Sequence, residues 1–331
     1  MLQTVCHTTA ESHDTLGELA KVIARSNRVI AITGAGISTS AGIPDFESLN
    51  LNRPGVKTRD LFQQTALSHP SDGPALIKLC LELFEHAEIS QPSLPHRFLM
   101  DLLKSGQLVR KYTQNIDCLE EQAGLCIDVS KGPGVFISDP TSDTTAPLQP
   151  SLPRGVECVQ LHGSIRLLRC LKCRQQCTCP TTSRRGRTLQ PGLLRPGILL
   201  YNELDLRAQT IAEIIQHNLS LDVDLLLILG TSLIVHGIRK LTRKFAKLAH
   251  KNDGLVLYIN QKGPPRKHWD GVVDYWVEWK CDAWVNDLTT RDRWLSTAGC
   301  LKRCKSAGDG RRRKALVGTR DFPIDLTGCT S

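Results

Sequence analysis

A short apolar run that ends in a glycine-rich turn constrains the fold of this chain more than any other feature. Residues 29–33 read Val-Ile-Ala-Ile-Thr, and Gly34-Ala35-Gly36 follows them directly. Residues 108–113, 224–229 and 255–259 are further short, largely apolar segments that predict strands. Apolar strands of this kind are typical of a parallel sheet that is covered on both faces. The sequence therefore predicts an α/β fold.

Helical periodicity between these strands supports the same architecture. Apolar residues recur at spacings of three and four over residues 15–26, 98–103 and 238–248, which predicts an amphipathic helix in each segment. The second helix is expected to stop at Gly106, whereas residues 1–15 show no pattern and are expected to form a flexible N-terminus. Strands that alternate with helices in this way predict a Rossmann-like parallel sheet with helices on both faces.

The carboxyl ends of the predicted strands carry glycine or polar residues and should meet at one edge of the sheet. These ends are residues 34–46, 114–117, 230–232 and Asn260. Ligands of open α/β sheets bind at that edge, and glycine lets backbone N–H groups approach a phosphate. A plain tight turn or a polar loop would explain each segment alone. It is the convergence of the four strand ends that predicts a nucleotide site.

One histidine stands out as a candidate catalytic residue. His162 lies in the motif Leu161-His162-Gly163-Ser164. Imidazole titrates near neutral pH and can accept a proton from a sugar hydroxyl. An isolated histidine is more often structural, and the position of His162 shortly before a cysteine cluster is what favours a functional role.

Four of the thirteen cysteines fall within ten residues, at Cys170, Cys173, Cys177 and Cys179. Four thiolates can close a tetrahedral zinc site and stabilise a small module that has little core of its own. We expect this cluster to bind zinc, with ordinary buried or free thiols as the alternative. The spacing departs from that of a zinc ribbon, whose second cysteine pair would follow roughly 15–20 residues later.

Composition separates a patterned region from two irregular segments. The main domain is expected to cover residues 16–300, with a zinc module near residues 158–192. Residues 128–156 are rich in glycine, proline and small polar residues and are expected to form a flexible insertion. The basic tail at 301–331 contains the run Arg311-Arg312-Arg313-Lys314, which is either a nuclear-import or nucleic-acid patch or a solvated tail.

The net charge and the absence of long apolar runs limit the classes of partner. The formal charge of +9 suits work beside an acidic partner such as chromatin, although it carries no information about the fold. No apolar run reaches the roughly 18–20 residues that a membrane span needs, and the first residues do not resemble a secretory signal. We therefore expect no membrane partner.

Taken in order, the motifs resemble the sirtuin family of NAD-dependent protein deacylases from about residue 16 to about residue 290. No single motif is decisive, but the ordered set is highly specific. Residues 274–284 are similar to the fungal branch of nuclear sirtuins, which is associated with deacetylation of the core of histone H3 and with chromatin silencing and genome maintenance. The motifs are Gly34-Ala35-Gly36-Ile37-Ser38, Gly42-Ile43-Pro44-Asp45-Phe46, Tyr112-Thr113-Gln114-Asn115-Ile116-Asp117, Leu161-His162-Gly163-Ser164, Leu194-Arg195-Pro196, Leu200-Tyr201-Asn202-Glu203 and Gly230-Thr231-Ser232-Leu233.

The resemblance implies that NAD lies across the carboxyl edge of the sheet. The glycine turn would approach its phosphates, Asn260 and the Cys281–Asp282 backbone would lie near the adenosine, and Asn115 and Asp117 would surround the nicotinamide and its ribose. The implied NAD-binding set is Gly34, Ala35, Gly36, Ser38, Ile43, Pro44, Asp45, Phe46, Gln114, Asn115, Ile116, Asp117, Gly230, Thr231, Ser232, Asn260, Cys281 and Asp282.

The resemblance also implies the reaction and its partners. Acetyl-lysine would enter between the large domain and the zinc module, and its carbonyl oxygen would displace nicotinamide. His162 would act as general base on a ribose hydroxyl, with Asn115 and Asp117 completing the catalytic set. The products would be deacetylated lysine, nicotinamide and O-acetyl-ADP-ribose. The zinc would be structural, since four cysteines saturate it. The expected partners are acetylated histone tails or core lysines and chromatin in the nucleus, while direct binding to DNA is left open.

Four positions depart from the family pattern. Glu47 stands where an arginine usually follows Asp-Phe, and an acidic side chain should repel a pyrophosphate. Cys118 and Asn202 each replace a usual glycine. Thr182 lies where a further cysteine would follow Cys179, so either Cys177 substitutes as a zinc ligand, the module is damaged, or coding sequence is missing.

These departures leave alternatives to an active deacetylase. One is a catalytically weak member of the family that acts as a chromatin-binding scaffold. The other is a nicotinamide-dependent dehydrogenase, which the glycine turn permits. Against the dehydrogenase, the acidic residue expected some 20 positions after the turn is not evident.

Overall fold

A parallel sheet of seven strands forms the centre of the fold. The computed structural model describes residues 2–6, 10–45, 48–49, 58–134, 155–170, 194–264 and 266–291. The strands, in chain order, are β1 (Gln3–Cys6), β2 (Val29–Thr33), β3 (Leu108–Thr113), β4 (Cys158–Gln160), β5 (Gly163–Cys170), β6 (Leu194–Ile198), β7 (Leu225–Leu229), β8 (Leu255–Ile259) and β9 (Tyr275–Glu278). The large sheet has the order β1-β9-β8-β7-β2-β3-β4, while β5 and β6 form a separate antiparallel pair.

Helices connect the strands of the sheet. The α-helices are α1 (Ala10–Arg25), α2 (Thr58–Leu61), α3 (Asp72–Ile89), α4 (Leu94–Lys104), α5 (Leu119–Gln122), α6 (Ala208–Leu219), α7 (His236–Lys251), α8 (Arg266–Trp269) and α9 (Cys281–Arg291). Short 3-10 turns cover Ala35–Ile37, Thr39–Ala41, Gln64–Ser68 and Val129–Lys131. Among the described residues, no helix combines the length and hydrophobicity that crossing a bilayer requires.

Both faces of the sheet are buried because its central strands carry apolar side chains at nearly every position. Val29 and Ala31 of β2 point into a core shared with α1, α4 and α9. Ile30 and Ile32 point into the opposite core, which is shared with α6 and α7. Successive strand residues face opposite sides of a sheet, so an uninterrupted apolar run can serve two cores at once. This arrangement confirms the predicted Rossmann-like fold.

The direction in which successive strands are added to the sheet reverses between β2 and β7. From β2 the chain moves outward through β3 and β4, and from β7 it moves outward the other way through β8 and β9. β2 and β7 pair in parallel, with Val29 opposite Leu225 and Thr33 opposite Leu229. A crevice opens where strand order reverses, and ligands of open α/β sheets bind there. In this chain the crevice lies between Gly34 and Gly230.

The β5–β6 pair packs on a smaller core beside the main sheet. Ile165 and Ile198 from these strands join Leu61 of α2 and Leu76 of α3 in this core. The two strands approach closely at Gly163, which has φ +78° and where an added Cβ would lie 2.2 Å from the carbonyl oxygen of Gly197. Only glycine fits this crossing. The second unit is thereby held next to the end of β4.

The predicted strands match the structure more closely than the predicted helices. Residues 29–33, 108–113 and 255–259 are strands with the predicted bounds, while 224–229 begins one residue later, at Leu225. The predicted helices at 98–103 and 238–248 are longer in the structure, as α4 and α7.

The expected flexible N-terminus is wrong in the part that the structure describes. Residues Gln3–Cys6 form the edge strand β1, which pairs in parallel with β9, and Val5 is buried against α1. Helix α1 also begins at Ala10, five residues before the predicted start. Hydrogen bonding to an existing sheet edge orders a terminus whose own sequence has little periodicity.

The predicted zinc module begins at residues that belong to the main sheet in the structure. Residues Cys158–Gln160, which we expected to open the zinc module, instead form β4 of the main sheet and pair with β3. Of the expected insertion at 128–156, residues 128–134 and 155–156 are described, with a 3-10 turn at Val129–Lys131. Residues 135–154 and the tail from 292 onward lie outside the described residues.

Candidate functional site

The glycines at the ends of β2 and β7 bring the two strands into backbone contact. The N–H of Gly34 donates to the Leu229 carbonyl at 3.0 Å, and that of Gly36 donates to the Gly230 carbonyl at 2.9 Å. A Cβ at Gly36 would lie 2.8 Å from Gly230 Cα, and one at Gly34 would lie 2.7 Å from Thr231 Cβ. Side chains are therefore excluded here, and Ala35 begins a 3-10 turn directly above the crevice. Because the N–H groups of Gly34 and Gly36 donate to these carbonyls, contact of the turn with a phosphate stays a prediction.

Gln114 connects this crevice to the next strand end. Its side-chain amide donates to Thr231 Oγ1 at 2.7 Å, and its backbone N–H donates to the Thr33 carbonyl at 3.0 Å. Thr231 Oγ1 also accepts from the N–H of Leu233 at 3.2 Å. The ends of β2, β3 and β7 are thus joined by side-chain hydrogen bonds as well as by the sheet. Ser232 lies exposed beside this junction.

Asn115, Ser38 and Asp117 form a buried hydrogen-bonded chain. Asn115 Nδ2 donates to Ser38 Oγ at 3.0 Å, and Ser38 Oγ donates to Asp117 Oδ2 at 2.7 Å. The other carboxylate oxygen of Asp117 accepts from the N–H of Leu119 at 3.0 Å. Burial raises the pKa of Asp117 above its ordinary value, with the nearby Glu120 as a second cause, while the Ser38 hydrogen bond opposes the rise. The three predicted residues are brought together as expected.

His162 follows β4 at the same edge of the sheet. Its Nδ1 lies 3.0 Å from the backbone carbonyl oxygen of Gln114. A carbonyl can only accept, so Nδ1 carries the proton and Nε2 of the neutral ring keeps its lone pair. Burial lowers the pKa of His162, the hydrogen bond to Gln114 raises it in part, and the positive charge of Arg207 lowers it further. The ring is therefore a neutral base with a fixed tautomer. The same turn is held by Leu199, whose N–H donates to the His162 carbonyl at 2.7 Å.

A fully buried charged cluster lies behind Asp117, and the motif pattern did not predict it. Lys111 Nζ is 3.0 Å from Glu120 Oε1, and His96 Nε2 is 3.9 Å from the same oxygen. Burial lowers the pKa of His96 to about 3, so this ring is neutral. Burial raises the pKa of Glu120, but the adjacent Lys111 ammonium outweighs burial and holds that pKa below its usual range.

This cluster does not have the composition of a metal site. The potential ligand atoms of His96, Asp117 and Glu120 lie within 4.8 Å of one another. The ammonium of Lys111 already supplies the cation that neutralises Glu120. Lysine within a predicted strand was the signal for this pair, since a charge in a buried strand requires a partner.

The predicted adenosine side is assembled from the ends of β8 and β9. Asn260 Nδ2 donates to Tyr258 Oη at 3.0 Å and to the Lys262 carbonyl at 2.8 Å, so this amide orders its own loop. Cys281 begins α9 and its Sγ lies 3.6 Å from the Ile259 carbonyl oxygen, which places this residue at the same edge. Asp282 follows it and lines an open cavity of about 510 Å³ with residues 40–42. Direct contact of these residues with adenosine stays a prediction.

The loop predicted to lie near the carboxamide is described only in part. Ile43 is buried in the core of the second unit, and Pro44 is half-buried. Asp45 Oδ1 accepts from the N–H of Ser48 at 2.8 Å and from its hydroxyl at 2.6 Å. Ile116 lies across from this loop, and its carbonyl accepts from the N–H of Ile165 at 3.0 Å. Phe46 and Glu47 lie outside the described residues.

The segment implied to border the acyl-lysine channel is fixed by a buried ion pair. Arg195 donates to a carboxylate oxygen of Glu203, and the other oxygen of Glu203 accepts from the N–H of Leu200 at 3.1 Å. Asn202 has φ +66° and its amide donates to Gln63 Oε1 at 2.9 Å. The left-handed backbone at Asn202 explains why glycine is usual there, and asparagine is among the residues that tolerate it.

Cys118 is the second position where a residue with a side chain takes a glycine conformation. It has φ +63°, and its Sγ lies 2.8 Å from Ser164 Oγ. Sγ also lies 3.4 Å from the Ile116 carbonyl oxygen, to which the thiol donates. These contacts to the sulfur offset part of the backbone strain. The substitution ties the Asp117 loop to β5.

Of the predicted zinc ligands, the structure describes Cys170. It is buried at the end of β5, opposite Leu194 of β6. Cys173, Cys177 and Cys179 lie outside the described residues, as does Thr182. A ligand at the end of a strand would anchor a metal-held module to the β5–β6 pair.

One buried atom at the site has the character of a ligand-binding group. Asn115 Oδ1 has no hydrogen-bond partner among the described residues, although it is buried. A buried acceptor without a partner is unfavourable unless a bound group supplies the donor. The carboxamide of a nicotinamide carries an NH₂ group of this kind. The site therefore fits the predicted dinucleotide.

Comparison with known proteins places this geometry in a family. The sequence pattern of the Sir2 family matches residues 34–139 and 154–237. The NAD-dependent histone deacetylase HST3 of Saccharomyces cerevisiae is 32% identical over 322 residues, covering 84% of this chain and 68% of the relative. The NAD-dependent histone deacetylase HST4 of the same yeast is 32% identical over 289 residues, covering 77% of this chain and 73% of the relative.

Solved structures share the fold at lower sequence identity. A Sir2 homologue in complex with NAD has a TM-score of 0.60 and 23% identity, covering 86% of this chain and 94% of its own. A variant Sir2 homologue in complex with 2′-O-acetyl ADP-ribose has a TM-score of 0.61 and 23% identity, covering 86% of this chain and 98% of its own. By its fold, its ordered motifs and its relatives, the chain belongs to the Sir2 family.

Proposed function

We propose that this chain is an NAD-dependent histone deacetylase that transfers the acetyl group of a protein lysine to ADP-ribose. The observation that carries this proposal is the tautomer of His162, whose Nδ1–H is held by the Gln114 carbonyl at 3.0 Å. A neutral ring with a free lone pair on Nε2 is the form that a general base needs. The family to which the chain belongs, and the names of its fungal relatives, agree with this chemistry.

NAD supplies the ribose that receives the acetyl group and the nicotinamide that leaves. His162 Nε2 accepts the proton of a ribose hydroxyl and makes that oxygen a nucleophile. Gln114 holds the imidazole through its carbonyl and the phosphate-binding strand end through its amide, at 2.7 Å from Thr231. Gln114 therefore contacts both His162 and Thr231, and it fixes the distance between the base and the strand end that is proposed to bind phosphate. Such alignment is a large part of how weak nucleophiles are made reactive.

Asn115 and Asp117 position the nicotinamide end. Asn115 Oδ1 accepts from the carboxamide, because it has no other donor among the described residues. Ser38 holds the Asn115 amide and the Asp117 carboxylate in fixed positions through hydrogen bonds of 3.0 Å and 2.7 Å. Because these groups are buried, the network excludes water from the bond that breaks.

The acetylated peptide enters between the Leu200–Glu203 loop and the segment after β7. Leu204 follows the first of these segments and Ile234 lies in the second, and they are 81% and 65% exposed. Apolar side chains so exposed are suited to contact with a partner. The expected partners are acetylated lysines of histone tails or of the histone core, on chromatin in the nucleus.

Zinc has a structural role in this proposal. Cys170, Cys173, Cys177 and Cys179 would hold the metal and keep the module beside β5 folded. Elemental analysis of the purified protein should give close to one zinc per chain, and Cys170→Ser should lower that ratio, whereas Cys126→Ser should not. A protein without zinc would refute this assignment.

The proposed activity is tested by deacetylation of an acetylated histone H3 peptide with and without NAD. Release of nicotinamide should require both substrates. His162→Ala should reduce turnover by at least about 100-fold, the scale of a lost general base, while NAD binding measured by calorimetry persists. His13→Ala, which changes an exposed histidine of α1, is the matched control. Full activity of the His162 variant would exclude the proposed mechanism.

The scaffold alternative makes a different prediction. If Glu47 repels the pyrophosphate, Glu47→Arg should raise the affinity for NAD, and the unmodified protein should bind acetylated histone peptide with little turnover. Robust turnover by the unmodified protein, together with no gain from Glu47→Arg, would exclude this alternative.

A further inference from the structure

The outer face of helix α7 carries a dense positive charge. The helix contains six lysine and arginine residues over His236–Lys251 and no aspartate or glutamate. Its inner face is apolar, with Ile238, Leu241 and Phe245 buried against the sheet. A helix that is anchored by its apolar side presents its polar side in a fixed orientation. The six residues are Arg239, Lys240, Arg243, Lys244, Lys247 and Lys251.

The four lysines among these six residues form one stripe along the helix. Lys240, Lys244, Lys247 and Lys251 follow one another at spacings of four, three and four, which places them on the same side of an α-helix. All four are exposed. At a rise of about 1.5 Å per residue the stripe is about 17 Å long. This length matches about five phosphates along one strand of duplex DNA, at about 3.4 Å each.

No carboxylate of the described residues forms an ion pair with Lys240, Lys244 or Lys247 of this stripe. Asp274, near the carboxyl end of the helix, is already paired with His250 at 2.9 Å. Unpaired lysines on a rigid helix keep their full field for an external anion, since no internal contact has to be broken.

An arginine beside the stripe is held in place by packing. The guanidinium of Arg243 lies 5.2 Å from the ring centroid of Trp269, and one of its nitrogens donates to the His268 carbonyl at 3.2 Å. These contacts fix the side chain without removing its charge. The basic face therefore extends from α7 toward α8.

The basic face begins at the rim of the proposed active site. Helix α7 starts directly after residues 230–235, which follow β7 at the carboxyl edge of the sheet. Ile234, at the rim of the proposed peptide entrance, precedes the helix by two residues. A polyanion that binds the stripe thus lies close to the lysine being deacetylated.

We propose that the outer face of α7 docks on the sugar–phosphate backbone of duplex DNA beside the substrate lysine of a nucleosome. The nucleosomal part of this inference rests on the proposed histone deacetylase function. Lysines contact phosphates as point charges and carry no sequence information, so the binding is independent of base sequence and sensitive to salt. Docking raises the local concentration of the enzyme at histone lysines that lie next to DNA.

The test is binding of the full chain to a fluorescent 20-base-pair duplex across a range of salt concentrations. The variant K240Q/K244Q/K247Q should weaken binding at low salt by at least tenfold and reduce the slope of log affinity against log salt by about 2 to 3, since each phosphate contact contributes about 0.9. The control K21Q/K78Q/K104Q removes the same charge from other helices, where Lys21 and Lys78 already pair with glutamates. This control should bind almost as the unmodified protein does.

Deacetylation assays separate this inference from the proposed function. The stripe variant should deacetylate a free histone peptide at the normal rate and a nucleosome at a reduced rate. Lack of peptide deacetylation by every protein, with DNA binding still lost in the stripe variant, would refute the proposed function and leave the DNA-binding face intact.

Three results would overturn the inference. One is unchanged DNA binding by the stripe variant, with the binding abolished instead by replacement of the basic run at residues 311–314. Another is equal loss in the control variant. The third is normal DNA binding by the stripe variant together with weaker binding to free histone octamer, which would identify an acidic protein surface as the partner.

Discussion

The imidazole of His162 and the backbone carbonyl of Gln114 are joined by a hydrogen bond that determines which ring nitrogen is protonated. Because the carbonyl belongs to the residue that also binds Thr231, the base is oriented by the same residue that closes the phosphate-binding crevice. The orientation and the tautomer of the His162 ring are therefore determined by the sheet edge before any ligand binds. This relationship leads to a prediction about pH.

Activity should persist below the ordinary pKa of histidine. Burial lowers the pKa of His162 from its usual value of about 6.5, the hydrogen bond to Gln114 opposes part of that fall, and the positive charge of Arg207 adds to it. The base works only when neutral, so kcat/KM should fall as the pH drops through this lowered pKa, and the acidic limb should lie below pH 6.5. Arg207→Gln removes a positive charge and should move the limb to higher pH, whereas Arg207→Lys should not. A pH profile of peptide deacetylation for the three proteins provides the measurement, and an unmoved limb in Arg207→Gln would contradict the assignment.

Ser38 should be required for NAD binding although its side chain is buried behind the site. Ser38→Ala removes the link between Asn115 and Asp117 and leaves both polar groups short of a partner. A lost buried hydrogen bond costs about 1–3 kcal/mol, so we expect NAD affinity to fall by about 5-fold to 150-fold. Calorimetric titration with NAD measures this change. Ser220→Ala, at an exposed serine that follows α6, is the control and should bind normally.

The Lys111–Glu120 pair makes a prediction about stability. Lys111→Met leaves the Glu120 carboxylate buried without its partner and should lower the free energy of unfolding by about 3–5 kcal/mol. The double variant K111M/E120Q removes both charges and should recover most of that loss. Guanidinium chloride unfolding of the three proteins decides the point. If the double variant were no more stable than the single one, loss of packing would be the cause rather than the uncompensated charge.

The sequence predicted the parts of the fold that depend on local pattern. The bounds of β2 and β8 followed from apolar runs that end at glycine or polar residues, and the convergence of their ends followed from the parallel sheet. Strand β1 could not be predicted, because its order comes from pairing with β9, some 270 residues away in the chain. Pairing of this range leaves no local signal.

The site shows the same division between local and distant information. The motif residues Asn115 and Asp117 were predicted, since they follow a predicted strand directly. The role of Ser38 as the link between them required the structure, because the partners are 77 and 79 residues apart. The glycines that are usual at these positions in the family indicated the positive φ angles of Cys118 and Asn202. The Lys111–Glu120 pair was not predicted, although a lysine within a predicted buried strand indicates that a group of opposite charge lies nearby.

The contact between the ends of β2 and β7 leads to the last prediction. Gly230 has φ +62°, and an added Cβ would lie 2.6 Å from the backbone nitrogen of Ile37. Gly230→Ala should therefore strain the backbone and force the two strand ends apart, with a loss of at least about 2 kcal/mol in unfolding free energy from the left-handed conformation and the steric clash. NAD affinity should fall with it, since the crevice between the strands would widen.

The neighbouring glycine of α7 provides a matched comparison for this change. Gly237 lies in the first turn of the helix with no atom within 4 Å of an added Cβ. Gly237→Ala should therefore raise stability slightly, by about 0.4–1 kcal/mol, because alanine restricts the unfolded chain at a compatible site. Urea unfolding of the two variants should show stability changes of opposite sign, and NAD titration should show a loss of affinity in Gly230→Ala alone. Normal NAD binding by Gly230→Ala would mean that the close approach of the two strand ends is not what forms the dinucleotide site.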